Sequence, residues 1–312
     1  MQRPPIILEI GSSVIKVGYA EQFKPLHLIP LETPPTKILS ESQWYSILSP
    51  MILQVYDRLM VNPTTRRVMV VHDHYPQKSW EAALKQALWN RGVPAVSLVS
   101  SLEMVPVAQG WKRGIIVQVG RTEAVCVAHV DGHILPYTYQ MVQCGYETAL
   151  GPDSKIQTAW DSSMDPLWLD EHDPNSLVVA LFKCLEACPR DIRMHVISNI
   201  VFTGDAIVLL PDLGRRVANR FQMVLNGTSA PLGQEEGEGK EGEEKEDATK
   251  LTIVPINTTS LKPLASRLSV TSCAPHRADF ISWVGASLWS ATWHKYDDDE
   301  TRIHWTLAPT ES

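Results

Sequence analysis

Long apolar runs are missing from this chain of 312 residues. Short ones such as Ile6–Leu8 and Val68–Val71 fall far below the roughly 20 residues that cross a bilayer as a helix. The N-terminus reads Met-Gln-Arg-Pro-Pro and passes straight into a strand-like stretch. It lacks an apolar core with a small-residue cleavage site, so the expected address is the cytoplasm. A cysteine framework is missing too. The five cysteines, at 126, 144, 184, 188 and 273, are odd in number and follow no disulfide pattern. Cys126 lies in the apolar stretch Ala124–Ala128 and reads as a buried thiol. Cys184 and Cys188 are one helical turn apart, but no second ligand pair at zinc spacing accompanies them, and no metal is expected. His72-Asp73-His74 also lacks a third ligand and reads as a solvated loop. Excess positive charge is the last absence. The net charge is −7, and residues 234–247, with eight acids and two lysines, hold −6 of it. The remainder carries about −1 (−7 less −6), with no basic stripe for nucleic acid and no polybasic membrane anchor.

What is present suits two globular α/β domains: 44% hydrophobic and 20% charged residues. Residues 6–10 and 14–20 read as strands joined by Gly11-Ser12-Ser13. Residues 42–60 have helical spacing, with Pro50 early or at a break. Val68–Val71 reads as a buried strand, Ser79–Arg91 as a helix capped by Ser79 and ended by Gly92, Val96–Val99 as a strand and Ser101–Gln109 as a helix. A second unit then resembles the first: strands at Ile115–Val119, Ala124–His129 and His133–Tyr137, the last two joined by a tight Asp131-Gly132 turn. Helices follow at Asn175–Cys188 and Leu213–Leu225, around a strand at Ile197–Thr203, and a last helix at Asp279–His294. The acidic segment has nothing apolar to bury and reads as a solvated loop.

The stretch from Leu8 to Ala20, Leu-Glu-Ile-Gly-Ser-Ser-Val-Ile-Lys-Val-Gly-Tyr-Ala, resembles the first phosphate loop of the actin-related protein family. Further segments resemble the family in the same order. These are Asn62-Pro63 with Val93-Pro94-Ala95, the hairpin from Gly114 to Pro136, Asp191-Ile192-Arg193 with Asn199 to Gly204, and Phe280 to Ser287. Together they cover most of the chain outside the acidic segment. The resemblance implies an actin-like, ribonuclease H-like α/β fold of two domains. Residues 1–110 with 278–312 would form the first, and residues 111–277 the second, with 231–250 as the acidic loop.

The resemblance fails where an ATPase needs its chemistry. Metal-facing acids, close-packed glycines and a polar group for the attacking water are required. The first acid is Glu9, one methylene longer than the family's Asp. The second loop, Asp-Ser-Gly-Asp-Gly in the family, reads Gln118-Val119-Gly120-Arg121-Thr122 here. The hinge glutamine falls on Ser101, and the adenosine loop has become Gly204-Asp205. Glu9, Gly11, Ser12, Lys16, Gln118, Gly120 and Gly204 therefore read as degenerate nucleotide loops. No cofactor and no enzymatic activity are expected. Residual ATP or ADP binding is the alternative reading of the retained glycines and lysine; turn geometry, with Lys16 held by local carboxylates, is the other.

Two family subdomains have shrunk. Subdomain two is reduced to 31–40, and subdomain four to 151–175, a polar interval expected to build no helical core. In the family these form the pointed-end face, while the retained subdomains form the barbed-end face. A protomer with one docking face joins a filament end without extending it. The resemblance thus implies a hetero-oligomeric subunit of the cytoplasmic cytoskeleton that caps the pointed end of the dynactin actin-related filament, in support of dynein-dependent transport along microtubules. Its implied partners are dynactin's filament-forming actin-related protein and the other pointed-end subunits. Matched positions place the partner groove at Val107, Gly110, Trp111, Gly132, His133, Trp289 and Thr292. Trp289 is either an interface anchor or a core residue packed on Trp293. Alternatives are a nuclear actin-related subunit of a chromatin remodeller and a nucleotide-binding ATPase of the same fold.

Overall fold

The computed structural model describes residues 3–31, 39–72, 76–150, 165–228, 260–293 and 305–309. The acidic segment 234–247, the centre of the connection at 31–40, and Asp73-His74 lie outside the described residues. The chain divides into two compact units, Met1–Lys112 with Cys273–Ser312, and Arg113–Ser272.

In the first unit, β1 (Ile6–Ile10) and β2 (Val14–Tyr19) form an antiparallel hairpin with β3 (His27–Pro30) on its outer side. Helix α1 (Glu41–Leu59) leads to β4 (Val68–His72), which lies parallel to β1. Helix α2 (Lys78–Trp89) leads to β5 (Ala95–Ser100), parallel to β4, and α3 (Ser101–Gln109) follows. Alternation along the strands separates two cores. Ile6, Leu8, Val68 and Val70 meet Ile52 and Val55 of α1 and Leu84 and Leu88 of α2. Ile7, Met69 and Val71 face the other way, onto Met104 of α3 and onto Phe280, Trp283 and Val284. Both faces of the central strands are covered, which is why Ile6–Leu8 of β1 and Val68–Val71 of β4 read as unbroken apolar runs.

Two local expectations need correction. Pro50 sits inside α1, which runs through it. The proline is exposed, and it deprives only the equally exposed Ser46 of a carbonyl partner, which water replaces. The helix start is fixed instead by a capping box between Ser40 and Gln43. Helix α2 begins at Lys78 behind Gln77, so Ser79 is not its cap; its hydroxyl donates to the Leu39 carbonyl at 3.0 Å.

In the second unit, β6 (Arg113–Val119) and β7 (Ala124–Val130) pair antiparallel, with β8 (His133–Ile134) and β9 (Gln140–Val142) on β7. The turn into β8 uses positive φ at Asp131 (49°) and Gly132 (94°). The strand expected to Tyr137 stops at Ile134, because Pro136–Thr138 forms a 3-10 turn. Next come α4 (Tyr146–Leu150), α5 (Asp165–Leu169), α6 (Leu177–Ala187) and α7 (Arg190–Ile197). Because α7 extends through Ile197, β10 (Ile200–Thr203) starts later than its sequence suggests. Then follow α8 (Asp205–Leu209), α9 (Leu213–Asn226) and β11 (Val270–Thr271). Strands β6, β10 and β11 are parallel. The interval 151–175 is not wholly without a core: Trp168 and Leu169 of α5 pack with Leu177, Leu181 and Phe221. The chain returns to the first unit with α10 (Ile281–Trp293) and β12 (Thr306–Leu307), which pairs with β5.

The two sheets share a five-strand path, β3-β2-β1-β4-β5 in the first unit and β8-β7-β6-β10-β11 in the second; the first adds β12 beyond β5, and in the second β9 pairs with β7 off that path. In each path the three strands of the meander are antiparallel, and the last two run parallel to the meander's first strand, β1 or β6. The chain is therefore an α/β protein of two units with mixed sheets. Among the described residues, no helix is long and apolar enough to cross a membrane.

Candidate functional site

The first hairpin ends in a four-residue turn, with Ile10 and Ile15 as its last partners. The Gly11 N–H donates to the Val14 carbonyl at 3.1 Å. The second hairpin repeats this: Val119 and Ala124 are the last partners, and the Gly120 N–H donates to the Glu123 carbonyl at 2.9 Å. In both units the glycine amide thus closes its own turn. Ser12 is half-buried at the first turn.

Glu9 and Lys16 stand directly opposite one another on β1 and β2. Their ion pair is 2.8 Å long, and the residues are only 9% and 4% exposed. Lys16 Nζ also donates to the Asp279 carbonyl, and the second carboxylate oxygen of Glu9 accepts from the Ser282 hydroxyl at 3.0 Å. The acid at this position is thus neutralised by a cation of its own hairpin and tied to the start of α10. Register made the Glu9–Lys16 pair legible. Ser282 lies more than 270 residues away in sequence, and only its place in the Phe280–Ser287 motif hinted at proximity.

In the second unit, Gln118 is half-buried on β6 opposite Val125. Arg121 is clamped by Glu147 of α4 through two hydrogen bonds of 2.9 and 3.1 Å, and this pairing holds its guanidinium pKa up. Backbone bonds add to the clamp: Gly145, Tyr146 and Glu147 donate to the carbonyls of Thr122, Gly120 and Arg121. The loop is packed onto its own domain. Nothing in the sequence pointed to Glu147, since no regular period joins residues 121 and 147. Gly204 has φ of +100°, and a Cβ there would lie 2.3 Å from the Val119 carbonyl oxygen. Its glycine is required where β10 and α8 pass the end of β6.

The expected partner residues fall on two units. In the first, Val107 of α3 and Trp289 of α10 are half-buried and pack on the same cluster as Ile7 and Met69. These helices meet closely, since a Cβ on Gly285 would lie 1.9 Å from the Met104 carbonyl oxygen. Gly110 ends α3 with φ of 69°, Trp111 is half-buried beyond it, and Thr292 is exposed. In the second unit, Gly132 and His133 are exposed at the β7–β8 turn. Trp289 thus has a share in the core of its unit; the side chain of Trp293, its expected neighbour, lies outside the described ones. All five cysteines are buried free thiols. Cys188 donates to the Cys184 carbonyl at 3.3 Å, and among the described residues no group of three His, Cys, Asp or Glu is placed to hold a metal ion.

Scanned against models of known protein families, the chain matches none, and comparison with curated proteins finds no match.

Proposed function

We propose that this chain is a degenerate actin-related protein that binds and caps the pointed end of the dynactin actin-related filament without hydrolysing ATP. The observation that carries the proposal is the repetition, in two units, of one strand order and one glycine-closed hairpin at its start. A duplicated architecture of this kind is what an actin-like fold requires. The residues present do not fit a magnesium nucleotide. Each turn glycine spends its amide inside its turn, and Glu9 is already satisfied by Lys16 and Ser282. Where the second metal-facing acid belongs, the guanidinium of Arg121 is locked to Glu147. The shortened connections at 31–40 and 151–175 support a subunit with one docking face, and the α3–α10 pair carrying Val107 and Trp289 belongs to that face.

The test is affinity capture of the tagged full chain, with its copurifying proteins identified by mass spectrometry. Capture of the filament-forming actin-related protein of dynactin with pointed-end subunits supports the proposal. Recovery of chromatin-remodelling subunits instead overturns it. Purified chain should release no phosphate from ATP above a buffer blank; release abolished by Glu9→Ala would overturn the non-catalytic reading.

A further inference from the structure

The first unit has a depression of about 430 Å³ at the C-terminal end of α1, lined by Leu53, Tyr56, Asp57, Met60, Pro63 and Arg91. Two of its features bear on an occupant. Its apolar rim is open to solvent: Met60 is 89% exposed, held in the left-handed region at φ of 49°, and Leu53 is 40% exposed. The lining carries one carboxylate, Asp57, and one guanidinium, Arg91, and neither makes a side-chain hydrogen bond or ion pair among the described residues. The Tyr56 ring lies in the wall with its residue 6% exposed, and its hydroxyl is buried without a partner. Burial pushes the Tyr56 phenol pKa well up, so the group stays a neutral donor and acceptor.

The openness decides between classes of occupant. Small-molecule sites bury most of their ligand's surface. A depression rimmed by exposed Met60 and Leu53 does not enclose a metabolite, but it accepts side chains from a longer chain anchored beyond it. Charge complementarity decides the composition. We infer that this depression is a docking site for a partner-protein segment that presents an apolar side chain flanked by a basic and an acidic one. The basic group meets Asp57, the acidic group meets Arg91, and the apolar side chain covers Leu53, Met60 and Pro63.

The full chain, labelled at its methionine methyl groups, reports directly through Met60. Titration with the end-blocked tripeptide Lys-Leu-Glu should move the Met60 resonance saturably in the millimolar range. The blocked peptides Lys-Leu-Lys and Glu-Leu-Glu, and the variant Asp57→Asn/Arg91→Gln, should each bind about tenfold more weakly, the usual cost of a lost charged hydrogen bond. No saturable shift with Lys-Leu-Glu overturns the inference. So does equal binding of all three peptides, and so does free leucine binding as tightly as the tripeptide, which would make the occupant a small zwitterion.

Discussion

Lys16 and Glu9 are buried together, and their charges cancel only while both remain. Removing one partner of a buried pair leaves the other uncompensated, at about 3–5 kcal/mol, whereas apolar replacement of both is often near neutral. Lys16→Met should therefore lower unfolding stability in urea by about 3–5 kcal/mol, and the double variant Glu9→Leu/Lys16→Met should recover most of it. An unshifted midpoint for Lys16→Met would show that Glu9 is compensated elsewhere. The thiols give a second test at this scale. Burial pushes Cys144 up to about 12 and Cys273 up to about 11, from an ordinary 9.0. Both therefore stay protonated in the fold at mildly alkaline pH, and alkylation by iodoacetamide should spare them until the chain unfolds. Between the ordinary and the raised values, the unfolded chain has lost protons that the fold retains. Stability contributed by these thiols accordingly falls as pH rises from about 9 towards 12.

Elements meet most tightly where α3 crosses α10. Gly285 has no room for a Cβ against the Met104 backbone, so Gly285→Ala must push the helices apart or bend one. Overpacking of this kind costs about 1–3 kcal/mol, and a matching fall in thermal stability is expected, larger for Gly285→Val. An Ala variant as stable as the parent would show that the helices separate freely. The long elements of this packing were legible from periodicity: α3, α9 and the β1–β2 and β6–β7 hairpins lie where their apolar patterns put them. Short elements were not. Strands β3, β9, β11 and β12 span two to four residues, too few to display a period of two, and exist because a neighbouring strand supplies their partners. Trp168 escaped notice because a polar interval surrounds its short helix. Half of the candidate site was legible for a related reason. Glu9 and Lys16 are joined by register across a tight hairpin, whereas Ser282 and Glu147 reach their partners only through tertiary packing.

At the scale of the molecule, Trp289 links the core of the first unit to the proposed filament face. Because it packs on that core, Trp289→Ala should cost some thermal stability as well as binding, and circular dichroism must first establish that the variant is folded. Truncating an interface anchor costs about 2 kcal/mol or more, so filament association should weaken at least about tenfold. A folded variant that copurifies with the filament as the parent does would make Trp289 a residue of the core alone. The order of the chain has a separate consequence. The first unit is interrupted after Lys112 and resumes at Cys273. Its α10, whose Trp283 indole donates to the Ile7 carbonyl at 3.2 Å, therefore emerges from the ribosome after the entire second unit. During synthesis Ile7, Met69 and Val71 have α3 on their face but lack α10, while the inserted unit already holds every element of its own sheet. The newer half of the nascent chain can mature before the older half, which must shelter an apolar sheet face, by chaperone or by transient collapse, until its last helix arrives.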